Sequence, residues 1–180
     1  MTVDLGVAIV STDIHQYIEQ VKMLDAAGIS MIGCGDSQAL YHEQFIRCAL
    51  AAEHTKQARI GTWITNPRTR HPAVTASAIA TIDDIAPTRT FLGVGTGDST
   101  VYNVGIKPAS LNTLQNFVQT IRELHTKGES TWLGSKCYLT WAQRTIPIGM
   151  APSGPKGFQL AGQIADIIWV CYGIEEEQIK

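Results

Sequence analysis

FLGVGTGDSTVYNVG, running from Phe91 to Gly105, closes an apolar run with three alternate glycines, Gly93, Gly95 and Gly97, followed by an acid, Asp98. So little side chain at the end of an apolar strand suggests that something must come close to the backbone there. A dinucleotide fingerprint fails on spacing. That motif is G-x-G-x-x-G opening directly into a helix, whereas these glycines alternate and the next helical pattern starts only near Ser110.

The flanking chain supplies the context. Short apolar runs rich in Val and Ile alternate with segments of helical period, which is the signature of β-α units around a parallel sheet. VDLGVAI (Val3 to Ile9), ISMIGCG, ARIGTWIT, TFLGVG, IPIGM and DIIWVCY read as six strands. Between them, helical faces are expected at Ile14, Ile18, Val21 and Leu24; at Phe45, Ile46, Ala49 and Leu50; at Val74, Ala78, Ile82 and Ile85; at Leu111, Leu114, Val118, Ile121 and Leu124; and at Phe158, Ala161, Ile164 and Ala165. Cap residues mark the boundaries: Asp13 and Ser110 at helix starts, Gly28 and Gly128 at helix ends. STWLGSKCYLTW, residues 130–141, reads as an excursion hairpin turning near Gly134-Ser135. EEEQIK reads as the acidic first turn of a further helix. An open doubly wound sheet and a closed (β/α)₈ barrel both fit this order, and strand counting does not choose between them.

Bulk properties exclude several classes. The 180 residues are 44% hydrophobic and 17% charged with a formal net charge of -2, as in soluble globular proteins, and no basic cluster suggests nucleic acid. Cys34, Cys48, Cys137 and Cys171 form no C-x-x-C pair, which suggests free thiols, mostly buried, and no metal site. His15, His42, His54 and His125 are expected on helix surfaces without metal spacing. MTVDLGVAIV carries no basic n-region and no apolar run of membrane length, so a cytoplasmic location is expected, with no membrane partner.

In either architecture function gathers at the C-terminal ends of the strands. Gly35, Asp36 and Ser37 follow the second strand, Thr65, Asn66 and Pro67 the third, Thr96 to Ser99 the fourth, and Ala151 to Gly154 the fifth. APSGPKG places Pro155 at the first position of a helix, so the amides around Gly154 to Gly157, with Ser153 and Lys156, can hold a phosphate; an ordinary capped helix start reads the same way. Asp36 and Asp98 can hydrogen-bond a ligand or carry a proton, although a lone aspartate there also caps a loop. The alternate glycines either admit a flat ligand or let the strand pack tightly.

GDSQALYHEQF, TNPRTRHPAVTASAIATID, FLGVGTGDSTVYNVGIKPASL and MAPSGPKGFQLAGQIAD together resemble segments of the luciferase-like monooxygenase superfamily, in its flavin- or coenzyme F-420-dependent oxidoreductase branch, which includes methylenetetrahydromethanopterin reductase-like proteins. The resemblance covers nearly the whole chain in order, and TNPRTRHPAVTA followed by GTGDS is its specific part. It implies an α/β fold, a TIM (β/α)₈ barrel of the bacterial luciferase-like type, incomplete at about six strands, with residues 1–180 as one luciferase-like domain forming the N-terminal portion of the barrel. It further implies FMN or coenzyme F-420 at the C-terminal rim and a non-prolyl cis peptide near Trp63-Ile64, in a bulge of the third strand that supports the ring from behind.

Under that resemblance Trp63, Ile64, Asn66, Gly95, Gly97, Asp98, Ser153 and Gly154 bind the cofactor and Asp36 and Asp98 are catalytic. The alternate glycines then clear room for a planar ring. The implied activity is hydride transfer or monooxygenation of a small organic substrate. The alternative is a truncated, catalytically silent fragment that binds cofactor phosphate or only assembles, and open barrel edges call for a homo-oligomer or cover by another chain. Two departures stand out: the Asp-His common after the second strand of deazaflavin enzymes is Asp36-Ser37, and the Glu after the fourth strand is Asp98.

Overall fold

A computed structural model describes residues 4–171. Six parallel strands form one sheet: β1 (Gly6–Ile9), β2 (Met31–Cys34), β3 (Arg59–Thr65), β4 (Thr90–Val94), β7 (Ile148–Met150) and β8 (Ile167–Ile168), in that spatial order. Between them run α1 (Ile14–Ala26), α2 (Gln44–His54), α3 (Pro72–Ile85), the single turn α4 (Ser99–Tyr102), α5 (Leu111–Lys127) and α6 (Gly154–Ile164). The antiparallel pair β5 (Glu129–Trp132) and β6 (Ser135–Tyr138) is the expected excursion. Its turn lies one residue earlier than the sequence suggested, at Leu133 and Gly134, which both take positive φ (49° and 84°) as a tight two-residue hairpin turn requires.

Strand alternation makes the sheet two-faced. Ile32, Cys34, Ile60, Leu92, Val94, Ile148 and Met150 join the buried core with the helices. The other face carries glycines and aromatic rings. A Cβ on Gly33 would lie 2.1 Å from the Trp63 ring, and one on Gly149 2.1 Å from the Trp169 ring. The two indoles meet at 5.4 Å, with Phe91 5.7 Å from Trp169. Rings from distant strands can touch across one face only if the sheet curls around them, as in a barrel wall, so the architecture is α/β with a six-stranded incomplete barrel. Among the described residues β1 and β8 are its edges.

Helix starts follow their sequence signals. Asp13 accepts from Gln16 N–H and Ser110 from Thr113 N–H, and Gly128 ends α5 in the left-handed region (φ 77°). Two helix faces differ from expectation. Ile46 on α2 and Val74 and Ile85 on α3 are exposed, while Arg47, Cys48, Thr75 and Ile79 are buried in their place. Both helices contain so many small and apolar residues that several stripes satisfy the 3.6-residue period, and packing between α2 and α3 chooses. His125 is likewise buried, not on a surface, its Nε2 3.0 Å from Ala76 O, and His42 lies in a loop. Cys34 and Cys48 are buried, whereas Cys137 is half-buried and Cys171 exposed. No helix among the described residues is long and apolar enough to cross a membrane. The expected EEEQIK helix lies outside the described residues.

Candidate active site

β3 and β4 pair in register from Ile60 to Thr62, then slip, and the pairing resumes at Thr65 with Val94. The slipped residues are Trp63 and Ile64, joined by a cis peptide, as the resemblance implied. Thr62 satisfies the broken ladder with its own side chain: its hydroxyl donates to Gly93 O (2.8 Å) and accepts from Gly93 N–H (2.9 Å). The bulge turns Trp63 toward the concave face, over Gly33 and Gly6, and sends Ile64 against Gly95.

Above the bulge lies a hollow of about 420 Å³, at the C-terminal ends of β2, β3, β4 and β7. Asp36, Trp63, Ile64, Asn66, Asp98 and Ser153 all line it. Its size falls in the roughly 300–1,000 Å³ range of small-molecule sites. Gly97 lines it as well, but Gly95 and Gly154 do not.

The reading of the alternate glycines as clearance for a ring is corrected here. A Cβ on Gly93 would meet Thr62 O at 2.2 Å and Trp169 at 2.9 Å; on Gly95, Ile64 Cδ1 at 2.4 Å; on Gly97, Val101 Cγ1 at 2.7 Å. The space is filled by the protein itself, so the glycines let the bulge and α4 pack close. Gly97 is additionally in the left-handed region (φ 101°).

Asp36 is the most perturbed acid of the hollow. Burial pushes its carboxyl up to about 6, against a hydrogen bond from Thr65 that favours the charged form. Its contacts are long: Thr65 Oγ1 and Asn66 Nδ2 each donate to Oδ2 at 3.4 Å. Its backbone is tied down, since the Thr100 hydroxyl donates to Asp36 O, Gln38 Nε2 to Thr100 O (3.0 Å) and Asn103 Nδ2 to Ser37 Oγ (3.2 Å). The residue is therefore fixed in place, and burial makes it hold its proton more tightly than an ordinary aspartate. Asn66, 2% exposed, is locked by accepting from the N–H groups of Arg68 (2.9 Å) and Thr69 (3.1 Å).

Asp98 is exposed at the start of α4 and makes no side-chain cap bond. Ser153 is the N-cap of α6 without capping it through its hydroxyl, so that group stays available to the hollow. Pro155 stands second in α6, not first, because Gly154 (φ 73°) occupies the opening position. Lys156 is exposed and does not line the hollow. Sequence reading missed α4, whose four residues are too few for a period, and with it Thr100. It also missed Tyr41, whose ring walls the hollow beside Gly35. An aromatic in the loop directly after a β-strand was the available signal.

The family model described as luciferase-like monooxygenase matches residues 3–180. The chain belongs to that family. This luciferase-like chain is 35% identical over 127 residues to a 5,10-methylenetetrahydromethanopterin reductase of Archaeoglobus fulgidus, covering 65% of this chain and 37% of the reductase. It is 31% identical over 132 residues to an F420-dependent glucose-6-phosphate dehydrogenase of Gordonia bronchialis, covering 66% and 39% respectively. The solved coenzyme F420-dependent tetrahydromethanopterin reductase of Methanopyrus kandleri superposes with a TM-score of 0.81 at 25% identity, over 94% of this chain and 56% of that one. The luciferase-like chain thus spans little more than half of that reductase and less of the other two.

Proposed function

We propose that the hollow holds the ring and tail of coenzyme F-420 or FMN and that the chain forms the cofactor-bearing part of an oxidoreductase acting on a small organic substrate. The observation that carries this reading is the convergence of Asp36, Trp63, Asn66, Asp98 and Ser153, from four separate strand ends, on one cavity. The donor set suits the group: hydroxyls of Thr96, Ser99 and Ser153 and the amide of Asn66 match a polyhydroxylated, phosphate-bearing tail, while Trp63 and Ile64 offer an apolar backing for a flat ring. When bound, the ring supplies the two-electron redox chemistry. The relatives named for coenzyme F-420 favour the deazaflavin, and FMN shares the same kind of tail.

In this reading Asp36 holds or moves the proton. Its pKa, raised to about 6, brings it closer to neutral pH than an ordinary aspartate, as general acid–base work needs. Ser37, in the position where a histidine is common, cannot share that task, and its hydroxyl is engaged by Asn103. Asp98, exposed at the mouth, contacts the polar edge of the ring or substrate. The protein is to be incubated with either cofactor and passed through gel filtration. Visible absorbance co-eluting with the protein is the expected result, and elution free of both cofactors would refute the proposal.

A further inference from the structure

Tyr41 borders two cavities. On one side is the hollow just described; on the other is a shallow groove of about 240 Å³ lined by Thr12, Gln38, Ala39, Leu40, Tyr41 and His42. Tyr41 thus lies at the boundary of both. Its position is set from three directions. Gly35 lets the ring edge approach, since a Cβ there would stand 3.3 Å from Cε2. Arg47, wholly buried, lies over the ring with its guanidinium carbon 5.6 Å from the centroid, and 4.7 Å from that of Tyr17. The loop itself is closed by N–H bonds from Leu40 and Tyr41 to Ser37 O, both 2.9 Å, and is roped to α4 through Gln38 and Asn103.

Arg47 is informative about how Tyr41 is held. It donates through Nη2 to Ile9 O at 2.5 Å, while Nε and Nη1 have no hydrogen-bond partner and no ion pair with a carboxylate is formed among the described residues. A buried guanidinium placed between two aromatic faces gains from the ring quadrupoles what it lacks in hydrogen bonds. Tyr41 is therefore braced, and the groove beyond it, with Ala39 and the exposed Leu40, is partly aliphatic.

We propose that Tyr41 is the specificity-determining residue that limits how long an aliphatic substrate the hollow admits, with Arg47 as its positioning residue. This rests on the hollow being a substrate and cofactor site. With the ring in place, a chain extending from the hollow toward this side meets the phenol; without it, the chain continues into the groove. The test is calorimetric affinity for 2-alkanols of increasing chain length, measured on the cofactor-loaded protein. Each buried methylene tightens binding about fourfold. In the wild type this gain stops at a definite length. Tyr41→Ala shifts the stop to longer alcohols, Tyr41→Trp to shorter ones, and Tyr41→Phe leaves it unchanged, because the ring and not the hydroxyl forms the barrier. An identical stop in the wild type, Tyr41→Ala and Tyr41→Trp overturns the proposal, as does a loaded wild type that binds no member of the series. If Tyr41→Ala loses its far-UV circular dichroism, the Trp and Phe variants decide alone. Failure of the underlying reading shows separately, as absence of cofactor uptake before any alcohol is added.

Discussion

Asp25 and Asp36 flank the same strand, one below β2 at the end of α1 and one above it, and they live in opposite circumstances. Asp25, 8% exposed, accepts the N–H groups of Lys56 (2.8 Å), Gln57 (3.0 Å) and Ala58 (2.8 Å). Burial pushes its carboxyl up, but those three donors and the Arg89 charge together outweigh it, leaving the pKa below the usual range. Arg89 grips the same loop from the far side, donating to Ala58 O (2.7 Å) and Thr55 O (3.0 Å). Asp36 has two contacts at 3.4 Å and a pKa raised to about 6. One end of the sheet satisfies its buried carboxylate with three donors; the other leaves a carboxyl under-served at the rim where the proposed site lies.

Four experiments press on that contrast. The largest effect is expected from Asp25→Ala, which strands three backbone donors and should cost about 3–4 kcal/mol in urea denaturation, at the low end of the usual price of unpaired groups. Asp25→Asn, which keeps one acceptor oxygen, should lose about half as much. The stability from Asp25 is present above the unfolded carboxylate pKa and fades as pH falls through its depressed folded value. Equal loss of cofactor binding per folded molecule would show that the lower end is part of the site, and the contrast would break.

Asp36→Asn should do the reverse. A drop in turnover of about a hundredfold or more is expected for a lost proton carrier, together with a gain in stability at neutral pH. The sign follows from the raised pKa: between the unfolded value and about 6 the folded state binds the extra proton, so stability falls as pH rises through that window. Because the side chain is partly exposed, solvent screening reduces the gain to about 1 kcal/mol. Wild-type turnover should change with an apparent pKa near 6, and a flat pH–rate profile between pH 5 and 8 would count against Asp36.

Next comes Gly33→Ala, which drives a Cβ into the Trp63 ring from 2.1 Å and should cost about 2 kcal/mol by overpacking. It couples the two ends, because Trp63 lines the hollow, so its near-UV circular dichroism should change along with its melting point. The smallest effect is Gly154→Ala. Space is open there, yet φ is 73°, so about 1 kcal/mol is expected from the left-handed conformation alone, read as a fall in Tm with no change in far-UV circular dichroism.

The lower and upper ends were unequally legible in the sequence. The succession of strands and helices along the chain, the caps at Asp13 and Ser110, and the rim positions of Asp36, Asn66, Asp98 and Ser153 follow from local pattern, because alternation, helical period and capping chemistry are all short-range. Asp25 gave no signal: it lies inside a helical run, and its partners, Lys56 to Ala58, are joined to it only by folding. Arg47 was invisible for the same reason, since a lone arginine in a helix usually faces water. Of the two readings of Gly93, Gly95 and Gly97, tight packing was the one the structure bears out, and ring clearance was not. What needed their space was Ile64, Trp169 and Val101, and no spacing rule reveals which side chain arrives from another strand.

Every strand from β1 to β4 lies beside the one that precedes it in the chain, and β7 and β8 continue in the same direction once the hairpin is passed. Such wiring keeps most strand contacts between successive β-α units. The wall bearing Asp36 and Asn66 thus comes from strands that are neighbours in both chain and sheet, whereas Ser153 reaches the same hollow only after the β5–β6 excursion.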